Sequence, residues 1–346
     1  MKSQTSGAAA NFRSMKFKTG LIFAGVLGVA SYFAAPLQTC RAQATDLPSK
    51  APAGVTSSQQ NPLQIAILHW YNANLTTQFT TGKSPYGVAF DGVNLWISNF
   101  GANTVVKVRP SDGTILSTSP VGTNPIAIAF DGANIWVANI NSSNVTKLNG
   151  GTGAVMGTFT VGTQPDALAF DGTNIWVTND GSNNVTELAA STGATKGTFA
   201  VGTNPAGVVF DGTNLWITNN GAATVTKMST AGKVLGTFPV GTEPTGIAFD
   251  GTNIWTANFG SNNVTKLNLS GTVLGTFAAG AGPNGIAYDG ANIWVTDFNG
   301  LSVTKLKASS GATLSTINVG AEPAGVAFDG ASIWVTNFGG TTASKL

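Results

Sequence analysis

Seven tryptophans, Trp96, Trp136, Trp176, Trp216, Trp255, Trp294 and Trp334, each stand eleven residues after a proline. The prolines are Pro85, Pro125, Pro165, Pro205, Pro244, Pro283 and Pro323, separated by 40, 40, 40, 39, 39 and 40 residues. A fixed period near 40 is the mark of a repeat architecture, and it governs every other reading of the chain.

One unit, Pro244 to Gly282, shows what repeats. Gly246-Ile247-Ala248-Phe249 is an apolar run of strand length, and Asp250-Gly251 then breaks it. Asn253 to Asn258 follows as a second run; Asp-Gly between two such runs is a hairpin signal, because Gly supplies positive φ without a Cβ clash. Gly260-Ser261-Asn262-Asn263 turns the chain again, and Val264 to Leu267 and Thr272 to Phe277 read as third and fourth strands. Four short antiparallel strands per unit, with no helical period, are the content of one β-propeller blade. A right-handed β-solenoid is the rival, but its coils are usually shorter and lack repeated Asp-Gly hairpins.

The two ends of the array fit a closed ring. Leu75 to Phe79, leading into Pro85, lines up with Val273 to Phe277, so a lone fourth strand precedes the first unit. The last unit stops at Ser344-Lys345-Leu346, the third-strand position. An N-terminal strand that completes the last blade removes both free sheet edges. The predicted fold is an all-β, seven-bladed propeller of four-stranded antiparallel blades.

The unit P-x-G-I-A-F-D-G-x-N-I-W-V-T-N resembles the YVTN-type β-propeller repeat with Trp for Tyr, as in Trp176-Val177-Thr178-Asn179 and Trp334-Val335-Thr336-Asn337. Its D-G-x-x-W core is similar to that of the virginiamycin B lyase group of seven-bladed propellers. The resemblance covers about residues 74 to 346. It implies a fold more than an activity, since one fold hosts many functions.

Ahead of the repeats, Lys2, Arg13, Lys16 and Lys18 form a basic leader and Leu21 to Ala35 an apolar run. Ala42-Gln43-Ala44 supplies an A-x-A cleavage signal, so residues 1–44 read as a secretory signal peptide cut after Ala44. Residues 45–63 read as a flexible linker and residues 64–346 as the propeller; the product is secreted or periplasmic, without a membrane span once cleaved. The leader holds five of the 17 basic residues and none of the 15 acidic ones, which leaves a mature chain of formal charge −3. A nucleic-acid-binding surface is not supported. The only cysteine, Cys40, leaves with the leader, so packing rather than disulfides must stabilise the domain. Ile65 to Tyr71, with the sole histidine His69, reads as an extra strand beside the closing blade and His69 as structural.

Loops joining fourth to first strands and second to third strands share one face of a propeller, around the central channel, and a loop-borne function belongs there. Residues common to every blade read as structural. Asp91, Asp131, Asp171, Asp211, Asp250, Asp289 and Asp329 form turns ahead of Gly, and Asn99, Asn139, Asn179, Asn219, Asn258 and Asn337 brace loops. Lys107, Lys147, Lys227, Lys266, Lys305 and Lys345, with Glu187 in blade three, read as a solvated outer rim.

Positions that vary carry the functional signal. Acids Asp166, Asp180, Glu243, Asp297 and Glu322 map to the loop face with Tyr86, Phe100, Phe259, Phe298 and Phe338. These ten are the candidate ligand-binding residues; acids and aromatics around a polar mouth suit a cation, a sugar or a peptide. The competing reading is solvated loop acids with phenylalanines wedged between blades.

The expected function is therefore a non-catalytic binding or scaffold protein acting through its loop face as a monomer. Its partner, whether protein, glycan or small molecule, is not specified by the sequence. No catalytic residue set, nucleophile elbow or zinc spacing occurs, and no cofactor is assigned. Two alternatives involve calcium or magnesium. The resemblance to virginiamycin B lyases implies a metal and a histidine base on the loop face, yet none of the seven units contains His, so an acid raised by burial would have to serve. A calcium-dependent lactonase-type hydrolase would need Asp166, Asp180, Glu243 and Asp297 to converge on one ion.

Overall fold

The computed structural model describes residues 78–346. The leader 1–44, the linker 45–63, Cys40 and the strand expected around His69 lie outside the described residues.

The described residues form seven four-stranded antiparallel sheets; six take their strands in chain order outward from the axis, and the seventh runs Pro323–Phe328, Ile333–Asn337, Thr342–Lys345 with Gln78–Thr80 outermost. Blade three is representative: Pro165–Phe170, Asn174–Asn179, Asn184–Ala189 and Thr195–Ala200. First strands of successive blades lie side by side around the axis. Close approach there needs a missing side chain: a Cβ on Gly87 would sit 2.2 Å from the Ile126 carbonyl of the next blade.

Each Asp-Gly turn carries more than turn chemistry. Asp171 Oδ1 accepts the backbone N–H groups of Thr173 and Asn174 at 2.8 and 2.7 Å. Gly172 follows at φ +97°, where a side chain would be strained. The second oxygen, Oδ2, accepts the Trp176 indole N–H at 2.7 Å. The same bond recurs in all seven blades, at Trp96, Trp136, Trp216, Trp255, Trp294 and Trp334. A large ring is thereby buried with its one polar group satisfied, as burial requires.

The strand-three lysines are not a solvated rim. Lys107, Lys147 and Lys266 are buried, with Nζ 5.1, 4.9 and 4.8 Å from the ring centroids of Trp96, Trp136 and Trp255. Each ammonium then donates to a carbonyl of the following blade: Lys107 to Gly150 at 2.7 Å, Lys147 to Ala190 at 2.6 Å, Lys266 to Ala308 at 2.7 Å. The long stem covers the indole while the charged end finds oxygen acceptors, so these lysines clasp blade to blade. Glu187 cannot do this; it is buried and pairs with Lys196 of its own blade at 3.1 Å.

Nearer the axis a hydroxyl makes a second tie. Thr178 Oγ1 accepts the Ala167 N–H at 2.8 Å and donates to the Ala206 carbonyl of blade four at 2.5 Å. Ser98, Thr218 and Thr296 repeat it. Ala138 and Ala257 have no hydroxyl to offer, and at blade five Thr245 Oγ1 reaches the Asn284 carbonyl instead at 3.2 Å.

The ring closes as the repeat alignment predicts. Gln78–Thr80 pairs with Thr342–Lys345 as the fourth strand of the last blade, Phe79 opposite Ala343. Phe79 sits 5.3 Å from Trp334, as Phe159 sits 5.6 Å from Trp136 in a blade built from consecutive strands. Lys345 and Thr336 of the last blade make the clasp and the hydroxyl tie to Pro110 and Tyr86 of the first.

Candidate functional site

The two loop sets meet on one face because a backbone bond joins them in every blade. The N–H of the residue heading the second loop donates to the carbonyl of the residue before the proline: Phe100 to Ser84 at 3.0 Å, Asp180 to Gln164 at 2.9 Å, Phe298 to Gly282 at 2.9 Å. The residues before the prolines are held left-handed, Glu243 and Glu322 both at φ 50°. Two tiers of variable side chains result.

The lower tier is the residue after each proline: Tyr86, Ile126, Asp166, Ala206, Thr245, Asn284 and Ala324, all buried. Its direction is fixed by one contact. Asn284 Nδ2 of blade six lies 3.4 Å from the Tyr86 hydroxyl of blade one, past Ala324 of blade seven, so this position points to the axis. The upper tier is the head of the second loop: Phe100, Ile140, Asp180, Asn220, Phe259, Phe298 and Phe338.

Aromatic rings occupy one arc of this mouth. Phe338 lies 5.4 Å from Tyr86, 5.6 Å from Phe100 and 6.1 Å from Phe298, and Phe298 lies 6.5 Å from Phe259. Blades five, six, seven and one thus share a continuous apolar wall. All five aromatic candidates of the sequence belong to it.

Opposite stand two carboxylates of blade three. Asp166 is 1% exposed, and its Oδ1 has no hydrogen-bond partner among the described residues. Burial, and then the charge of neighbouring Asp180, raise its pKa well above the usual carboxylate range. Asp180 opens a 3-10 turn, Asp180–Ser182, and is 8% exposed. Burial lifts its pKa to about 6, against a smaller lowering by the Asn204 side chain. Neither is the solvated loop acid of the competing sequence reading.

The other three acids do not join them. Asp297 fills the bracing position taken by Asn in the other blades: Oδ1 accepts the Gly280 N–H at 2.9 Å, and Oδ2 accepts Ser302 and Thr304 hydroxyls at 2.9 and 2.7 Å. Burial raises its pKa while those bonds lower it, and the group is internal. Glu243 and Glu322 lie over the loop glycines Gly260 and Gly339, 3.2 Å from where a Cβ would stand. The convergence of Asp166, Asp180, Glu243 and Asp297 required for a calcium site is therefore not formed. Among the described residues no group of three or more His, Cys, Asp or Glu side chains could hold a metal ion.

Asn284 was not among the sequence candidates, although it occupies the repeat position of Asp166. Its Oδ1 is likewise buried without a partner. Asn99, Asn139 and Asn179 also have unpaired buried oxygens, but at a bracing position where siblings Asn219 and Asn337 accept a glycine N–H at 3.0 Å. Asp166 and Asn284 have no such local donor. Their chemistry is visible in the sequence; their place in one axial tier depends on the closed ring.

No family model matches the chain, and no curated protein matches it in sequence. Solved structures do match it in shape. A streptogramin B lyase superposes with a TM-score of 0.67 at 20% identity, covering 78% of this chain and 95% of that one. Virginiamycin B lyase from Staphylococcus aureus gives 0.68 at 20%, over 78% and 97%. Hydrazine synthase from Kuenenia stuttgartiensis gives 0.68 at 19%, over 78% and 96%. At these identities the likeness is one of fold, and what the chain shares with the lyases is the propeller.

Proposed function

We propose that this chain is an exported propeller that binds a ligand at the axial mouth of its loop face, without catalysis. The observation that carries the reading is the Asp166–Asp180 pair of blade three, set across the mouth from an aromatic wall and matched by no other blade. Repetition gives every blade the same turns, indole bonds and bracing residues, so what one blade alone has is not needed to build a blade. Concave apolar walls with a few convergent polar groups are where ligands bind. Export follows from the basic leader, apolar run and Ala42-Gln43-Ala44 signal.

A second reading is favoured by one feature. The chain has the fold of streptogramin B lyases, and Asp180 has a pKa of about 6, suited to accepting a proton near neutral pH. In that case Asp180 is the base, where the resemblance implies a histidine.

Both readings are tested by incubating the protein with a small-molecule extract of its source and following the compounds by mass spectrometry. Binding predicts stoichiometric retention of one compound by the wild type and its loss in Asp180→Asn with Phe298→Leu. Depletion well beyond one equivalent would select the lyase reading. Equal retention by wild type and variant would overturn both.

A further inference from the structure

The ligand class can be read from what the mouth has left unpaired. Asp166 Oδ1 and Asn284 Oδ1 are acceptors, nearly or fully buried, in the same axial tier. Acceptors buried without donors are costly, and a guest that donates hydrogen bonds recovers that cost. Asp180 stands above Asp166 in the same blade, and the faces and edges of the aromatic arc stand across the mouth from the pair. Donors, positive charge and affinity for aromatic faces occur together in a primary ammonium group.

Resting on the proposed binding reading, we infer that the axial mouth is a site for a small primary amine, its ammonium held by Asp166, Asp180 and Asn284 and its body packed on Phe298 and Phe338. Two further observations narrow the class. Burial disfavours the charged form of both carboxyls of the pair, and a cation placed between them is the guest that restores it. A divalent calcium ion asks for six to eight oxygen ligands, and no third carboxylate joins the pair. A quaternary ammonium would match the charge and the aromatic wall but bring no N–H to the orphaned acceptors.

The test uses the full chain with its isoleucine δ1-methyls labelled. Ile126 and Ile140, buried in the two tiers beside blade three, report on the site by NMR. The probes are benzylammonium, benzyltrimethylammonium, benzyl alcohol and benzoate at pH 7.5. Benzylammonium is expected to shift both methyls saturably, and the other three to bind at least about tenfold more weakly, the scale of one charge-assisted hydrogen bond. Asp180→Asn should remove the benzylammonium shift while leaving the methyl spectrum folded; Asn284→Leu should weaken it without changing the net charge. Equal shifts from benzyl alcohol or benzoate would overturn the amine assignment and leave a binding mouth standing. Benzylammonium shifts that survive Asp180→Asn would overturn it as well. If no probe moves Ile126 or Ile140, the amine assignment fails, and retention of a compound from the source extract then decides the binding reading separately.

Discussion

Lys345 Nζ donates to the Pro110 carbonyl at 2.9 Å, joining the last blade of the ring to the first across 235 residues of sequence. The same ammonium lies 5.3 Å from the Trp334 ring centroid. Together with the Gln78–Thr80 strand it makes ring closure depend on side chains as well as on backbone pairing. Lys345→Met keeps the stem over the indole and removes only the clasp. It should cost about 1–2 kcal/mol, the lower part of the range for a charged hydrogen bond because the site is half-exposed. Urea unfolding measures this; no loss of midpoint would show that strand pairing alone closes the ring.

Blade three offers the reverse experiment. Glu187 stands where a lysine clasps the next blade elsewhere in the ring, and its partner Lys196 has a half-exposed side chain. Glu187→Lys should place an ammonium over Trp176, within reach of the Thr230 carbonyl, the position equivalent to Gly150 and Ala190. The gain is expected at about 1 kcal/mol, since the ion pair that is lost is open to water on the Lys196 side and contributes little. A destabilised variant by thermal unfolding would mean that the blade-four turn cannot accept the clasp.

Asp171 supports its turn and Trp176 at once. Asp171→Ala leaves the buried indole N–H and two turn N–H groups without acceptors, and should cost about 2–3 kcal/mol. Asp171→Asn keeps a side-chain oxygen for the turn and should cost about half as much. Calcium should shift neither variant nor the wild type through this position, because both carboxylate oxygens are already occupied. Calorimetric unfolding with and without calcium checks both statements.

These contrasts show where the sequence speaks and where it is silent. Blade count, hairpin positions and the closing strand follow from spacing, because a 40-residue period with a spare fourth strand before the first unit and none in the last admits few closed solutions. The Lys107 and Lys147 clasps were illegible: a lysine in an alternating strand looks exposed until the neighbouring blade's carbonyls and the indole beneath it are placed. The candidate site divides in the same way. Asp166, Asp180 and the five aromatics stand out as departures from the repeat and do share the axial mouth. Asp297 departs equally, yet it substitutes for a bracing Asn, and only its bonds to Ser302 and Thr304 reveal that. Asn284 looks ordinary in sequence because its significance lies in reaching Tyr86 past blade seven at the axis.

The carboxylate pair gives stability an unusual pH dependence. Asp180 has a pKa of about 6 in the fold against an ordinary value of 3.8, so the folded state holds more protons between those limits. Its contribution therefore weakens the fold as pH rises from about 4 to about 6, and Asp166, raised in the same direction, adds to the loss. Asp180→Asn should remove about 1–2 kcal/mol of that fall, after allowance for solvent screening. The comparison is of urea midpoints at pH 4 and pH 7 for wild type and variant; an unchanged difference between them would remove the effect.

The most direct test of the axial mouth as the functional centre is a carboxyl carbon-13 NMR titration of Asp166 and Asp180 in the full chain. Asp180 should titrate near pH 6, and Asp166 well above the usual carboxylate range, since burial and the neighbouring charge both disfavour its ionised form. Titration of both below pH 4.5, alongside the surface aspartates, would mean that water reaches the pair freely, and the mouth would lose the electrostatic character on which its binding role rests.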